Sequence, residues 1–140
     1  MKTQGSAIGL LAASLLALPV AHAGNQGEPA ELARYQRFAS PPQDSAHILR
    51  VDNFIYLGTD AHGDTALAVR TGFNKVYLIT APPCPRLERA SAIRLTSAAG
   101  SVHAGTDFVK YGDNIAGHSW QCRIKAIRQV DYKAMVHAGK

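Results

Sequence analysis

Thr65-Ala66-Leu67-Ala68-Val69-Arg70-Thr71, then Gly72-Phe73-Asn74, then Lys75-Val76-Tyr77-Leu78-Ile79-Thr80 is the stretch on which the fold turns. Two runs of β-type residues flank a three-residue link whose Gly and Asn both tolerate positive φ, so the segment predicts an antiparallel hairpin. Along the first run Leu67 and Val69 alternate with Ala66, Ala68 and Arg70. Along the second, Val76 and Leu78 alternate with the equally apolar Tyr77 and Ile79, which predicts a strand buried on both faces.

Further short β-type runs lie on either side. Phe54 to Gly58 reads as a strand, ended by the polar turn Thr59-Asp60-Ala61-His62-Gly63-Asp64. Pro82 and Pro83 stop the Lys75–Thr80 run, because proline donates nothing to a sheet ladder. Ser91 to Ser97, Thr106 to Tyr111 and Ser119 to about Arg128 complete the set. In the last run the apolar position expected at Ala126 is displaced to Ile127, which predicts a bulge or a strand end. Upstream, Pro29 to about Ala39 reads as a short helix with Leu32, Tyr35 and Phe38 on one stripe, closed by Ser40-Pro41-Pro42. The expectation is one mainly β domain: a single antiparallel sheet of about six strands, rolled or barrel-like, with a short peripheral N-terminal helix.

Residues 1–23 have the pattern of a secretory signal peptide. Lys2 gives a positive start, Ala7 to Val20 an apolar stretch, and Ala21-His22-Ala23 a small-x-small cleavage site. The apolar stretch is shorter than the roughly 20 residues of a membrane-spanning helix. Cleavage near Ala23 would leave an N-terminal extension over 24–44, a β domain over 45–133 and a C-terminal tail over 134–140, in a periplasmic or secreted product. The formal charge of +5 is mildly basic and scattered, without a run of five or six like charges. A field of that sign favours anionic envelope components such as lipid headgroups.

Cys84 and Cys122 are the two cysteines of the chain. An exported small domain with an even count most simply pairs them. In the chain-entropy picture, closing a loop of about 38 residues stabilises the fold by roughly 3 to 4 kcal/mol. A reactive thiolate at Cys84 and an intermolecular bridge are the alternatives; the chain lacks the Cys-x-x-Cys spacing of redox proteins.

Several of these runs together carry a resemblance. Lys75-Val76-Tyr77-Leu78-Ile79 leads to Cys84-Pro85-Arg86-Leu87, followed by Ile93-Arg94-Leu95-Thr96, Asp107-Phe108-Val109 and Cys122-Arg123-Ile124-Lys125-Ala126-Ile127. Over roughly residues 45 to 133 this order is similar to a family of small exported Gram-negative bacterial domains of unknown function, several of them lipoproteins. The pair Cys-x-x-Leu and Cys-x-Ile-x-x-Ile is its most specific element. The chain departs from the lipoprotein members in having no cysteine near the cleavage site. The resemblance implies a fold and a disulfide but no mechanism.

Three ligand-type residues, Asp60, His62 and Asp64, fall within one turn, and His118 precedes Cys122 by four positions. Imidazole and carboxylate could hold zinc or copper if more ligands converged, yet the spacing matches no established metal motif, and solvated turns are rich in these residues anyway. Met135-x-His137 is a weaker version of the same idea. Neither a Gly-x-Ser-x-Gly elbow nor a His-Glu-x-x-His helix is present, leaving His103, Asp107 and Asp113 as a conceivable acid–base set. Tyr77, Tyr111 and Trp120 could stack on bases, but they occupy alternating strand positions where a core needs them. The expectation is therefore a non-catalytic envelope protein that binds a protein or surface component and takes no cofactor or nucleic acid. A periplasmic metal-binding protein is the runner-up.

Overall fold

The structure, a computed structural model, describes residues 28–112 and 117–139. The leader, the lead-in to residue 27 and Asp113 lie outside them.

The Gly72–Asn74 link turns as its composition requires, with φ of 66° at Gly72 and 65° at Asn74. It joins β3 (Thr65–Arg70) to β4 (Val76–Ala81) in an antiparallel ladder that pairs Leu67 with Ile79 and Val69 with Tyr77. On the outer side of β3 lies β2 (Asn53–Thr59); on the outer side of β4 lies β9 (Ala126–Val130), giving a four-stranded sheet ordered β2-β3-β4-β9. Both central strands are apolar on both faces, so both faces must be covered.

One face carries Ala66, Ala68, Val76 and Leu78, packed with Leu32 and Tyr35 of α1 (Ala30–Arg37) and Met135 of α2 (Tyr132–Ala138). Alanines at two of these positions remove bulk and let the helices sit close. At the end of β2 the approach is tighter still: a Cβ at Gly58 would come within 2.8 Å of Pro29 Cγ, and its φ of 95° already suits glycine. Docking explains why an eight-residue helix, marginal alone, persists here.

The opposite face carries Leu67, Val69, Tyr77 and Ile79 and faces a second β layer. That layer contains β5 (Ile93–Leu95), β7 (Phe108–Gly112) and β8 (Ser119–Arg123) in the order β5-β7-β8, and the pair β1 (Ser45–His47) with β6 (Ser101–His103). Leu87, in a short 3-10 turn over Leu87–Arg89, and Ile124 fill the space between layers.

The expected single sheet of about six strands is thus three separate sheets of four, three and two strands, none closed. The reason is the two-sided burial of β3 and β4. A rolled sheet has an outer face for water, whereas here helices cover one side and smaller sheets the other. The irregularity anticipated at Ala126 marks the crossing between sheets. Ile124 donates its N–H to the Asp107 carbonyl at 2.8 Å, and the next residue, Lys125, donates to Thr80 at 2.7 Å in the four-stranded sheet. Residues 134–138, expected as tail, belong to α2, which Asp131 caps by accepting the Ala134 N–H at 3.0 Å.

Candidate functional site

Cys84 and Cys122 form a disulfide, with Cα atoms 5.9 Å apart, a separation such a bridge accommodates. Cys84 lies just beyond the proline-stopped end of β4 and Cys122 within β8, so the bridge ties the four-stranded sheet to the three-stranded one. The backbone N–H of Cys84 is held by Thr65 Oγ1 at 3.0 Å. Tyr111 donates its hydroxyl to the Pro85 carbonyl at 2.7 Å, and burial, with Glu88 adding, holds that hydroxyl above the usual phenol range. Both sulfurs belong to buried residues.

The Asp60–Asp64 turn lies at the same end of β3. Asp60 Oδ1 accepts the N–H groups of His62 and Asp64, each at 2.9 Å, and so shapes the turn. Asp64 points inward and takes both carboxylate oxygens to Lys125 Nζ, at 2.9 and 3.1 Å. Glu28, ahead of α1, accepts the Ala61 N–H at 2.9 Å and ties the helix to the same turn. His62 is exposed on the loop, and His118 is exposed ahead of β8, on another sheet. Asp60, His62 and Asp64 border one groove of about 480 Å³, together with Lys125 and Arg128. His118 does not reach that groove, and among the described residues no three metal-ligating side chains gather.

The acid–base pair among His103 and Asp107 is a loop knot. Asp107 accepts the His103 backbone N–H at 2.6 Å and the Thr96 hydroxyl at 2.9 Å, with His103 Nδ1 at 3.5 Å. The His103 N–H is the main reason its carboxyl lies below the usual range; burial opposes it as the next largest effect, and the Thr96 hydroxyl and the imidazole add to the lowering. Tyr77 and Tyr111 are buried, and Trp120 packs part-buried against the same core, so the three aromatics are not a stacking platform.

At the opposite end of β3 the surface differs. The hairpin backbone is closed by Thr71 N–H to Lys75 carbonyl at 2.9 Å and by Gly72 N–H to Asp52 Oδ2 at 2.7 Å. Phe73, at the tip, is 92% exposed. Its neighbour Asn74 borders an open depression of about 600 Å³ with Arg37, Ser40, Gln129, Tyr132 and Lys133. Arg70 stacks over the Tyr132 ring with Cζ 5.1 Å from the centroid, and these two also border a small cleft beside the exposed Ile55. The turn itself held the signal for Phe73: the middle of a three-residue hairpin link faces water, so an aromatic there has no core to join. Tyr132 and Lys133, at the end of the expected β domain, reach this face as the first turn of α2.

These features define a disulfide-clamped, three-layer, mainly β domain in which most polar side chains of the expected sites serve turns and loops. The chain belongs to a family of unknown function (DUF6491), whose family model matches residues 4–140. No curated protein and no solved structure matches it significantly. Among the described residues, no helix is long and apolar enough to cross a membrane.

Proposed function

We propose that the protein is an exported, non-catalytic component of the cell envelope that binds a protein or surface component there. The observation that carries this reading is the unequal use of side chains at the two ends of the central hairpin. At one end Asp60, Asp64 and Cys84 are committed to the fold; at the other, Phe73 is exposed among cationic residues. Exposed apolar surface next to a net positive charge is a binding feature more than a catalytic one. The buried disulfide supports an oxidising compartment, and the leader-like residues 1–23 are its route, with cleavage after Ala23 leaving a periplasmic or secreted product.

The test mixes the purified protein with washed envelope membranes and sediments them. Co-sedimentation, with a periplasmic form whose intact mass begins at Gly24, is the expected result. A protein that stays wholly in the supernatant overturns the reading. So does stoichiometric zinc or copper in elemental analysis that is lost on His62→Ala or His118→Ala, which would establish the metal-binding alternative.

A further inference from the structure

We propose that the tip of the β3–β4 hairpin is a docking element for an anionic lipid bilayer, with Phe73 entering the interface and Arg37, Lys75 and Lys133 facing the headgroup phosphates. The inference deepens the envelope-binding reading and rests on it. Charge complementarity is the first argument. Arg37, Lys75 and Lys133 are exposed, and none makes an ion pair among the described residues. The nearby carboxylates are exposed but engaged: Asp52 accepts the Gly72 N–H and pairs with the Arg50 guanidinium, and Asp131 caps α2. With Asp52 paired to Arg50, the three exposed cations outnumber Asp131, and the end of the hairpin is net cationic.

Shape is the second argument. Phe73 protrudes from a turn closed directly behind it, where the Thr71 N–H bonds the Lys75 carbonyl and the Gly72 N–H bonds Asp52, so the ring is the part of the tip that projects furthest from the folded chain's own contacts. A protein interface needs a cluster of anchors in a packed core patch, and the depression beside this tip is open and lined mainly by polar side chains. A single exposed aromatic ring, with Lys75 two positions on and Arg37 and Lys133 bordering the depression beside Asn74, instead fits the interfacial zone of a bilayer, where aromatic rings sit at headgroup level. Each cation held near an anionic leaflet raises partitioning about fivefold, and one phenylalanine side chain about tenfold. Neither alone anchors the protein, while together they give reversible, salt-sensitive adsorption.

The test is sedimentation of the purified protein with vesicles of phosphatidylethanolamine and phosphatidylglycerol, against vesicles of phosphatidylcholine alone, over a salt series. Binding to the anionic vesicles that weakens with salt is expected, with little on the neutral ones. Phe73→Ser should lower partitioning about tenfold, and Lys75→Gln and Lys133→Gln about fivefold each, all with unchanged melting curves. Phe73→Trp should keep the affinity, and its emission should shift to the blue on anionic vesicles. Equal binding to both vesicle types, or no effect of Phe73→Ser, overturns the proposal. If washed envelopes bind the protein in a protease-sensitive way while anionic vesicles do not, the lipid assignment falls and the envelope reading stands.

Discussion

The two ends of the β3–β4 hairpin use similar lengths of chain in opposite ways. At the end holding Asp60, Asp64, Thr65 and Cys84, polar side chains turn inward and tie together α1, the β2–β3 turn, Lys125 and, through the disulfide, the second β layer. At the end holding Gly72, Phe73 and Asn74, the backbone is closed but the largest side chain points to water. The difference teaches that residue type alone is a poor guide to function in a turn. Asp60 and Asp64 look like ligands and serve as braces; a phenylalanine that looks like core is left without a structural task.

That contrast is most severely tested at the bridge. Cys84→Ser and Cys122→Ser should each cost roughly 3 to 4 kcal/mol, and the double variant little more, because either change opens the same loop. Urea unfolding midpoints measure this, and alkylation without reductant followed by intact mass checks that the thiols are closed. Clearly additive losses would mean that the cysteines act separately, and that the end is not wired by their bond.

The next effect is smaller and belongs to the ion pair. Asp64→Ala strands Lys125, whose side chain is 57% exposed while that of Asp64 is 12%. Partial solvation of the lysine limits the penalty, so about 1 to 2 kcal/mol is expected, less than for a fully buried pair. Lys125→Met, which keeps the stem but removes the charge, should cost a similar amount by leaving the carboxylate without its cation. A loss within about 0.5 kcal/mol for both variants, in the same unfolding assay, would show that this turn is no more constrained than the hairpin tip.

How far these elements were legible follows from their size and reach. The central hairpin, with its Gly72 and Asn74 turn and the two-sided burial of β4, is readable because alternation and turn chemistry are local; the burial of β3 on both faces, through small Ala66 and Ala68, is not. So is helix α1, whose stripe of Leu32 and Tyr35 is the face it buries. The strands β1 and β6 are not: three residues hold no period, and Ala46 and Val102 become a pair through register across the chain. Sheet partition escapes for the same reason, since the change of partner between Ile124 and Lys125 depends on hydrogen bonds to Asp107 and Thr80. For α2 the Asp131 cap is a local signal, but seven residues with one buried side chain make a weak stripe. The turn residues Asp60, His62 and Asp64 are correctly placed together by sequence, while the partner of Asp64 lies beyond any local pattern.

A pH titration distinguishes braces from free groups on the second layer. Asp107 has a carboxyl below its ordinary 3.8, chiefly because the His103 N–H bonds its ionised form. A depressed folded value means that its contribution is complete above the unfolded value and is lost as pH falls through the folded one. Stability measured by urea midpoints should therefore decline in acid below about pH 4, and Asp107→Asn should flatten its share of that decline. An unchanged acid slope in the variant would show that the His103–Asp107 knot does not hold the loop.

The smallest expected effect on stability falls on the residue given the largest role in binding. Phe73 is 92% exposed, so Phe73→Ser removes almost no buried surface and no hydrogen bond of the turn, and the unfolding midpoint should shift by the equivalent of less than about 0.5 kcal/mol. Gly72 and Asn74 on either side keep the positive φ values that the link requires, so the hairpin closes as before. A loss above about 1 kcal/mol would mean that the ring packs on the hairpin in solution, and the two ends would then differ only in which side chain does the bracing. Near-neutral stability combined with lost envelope association would instead place the division of labour on β3 itself: one end holds the domain together, and the other is free to meet a partner because the fold does not need it.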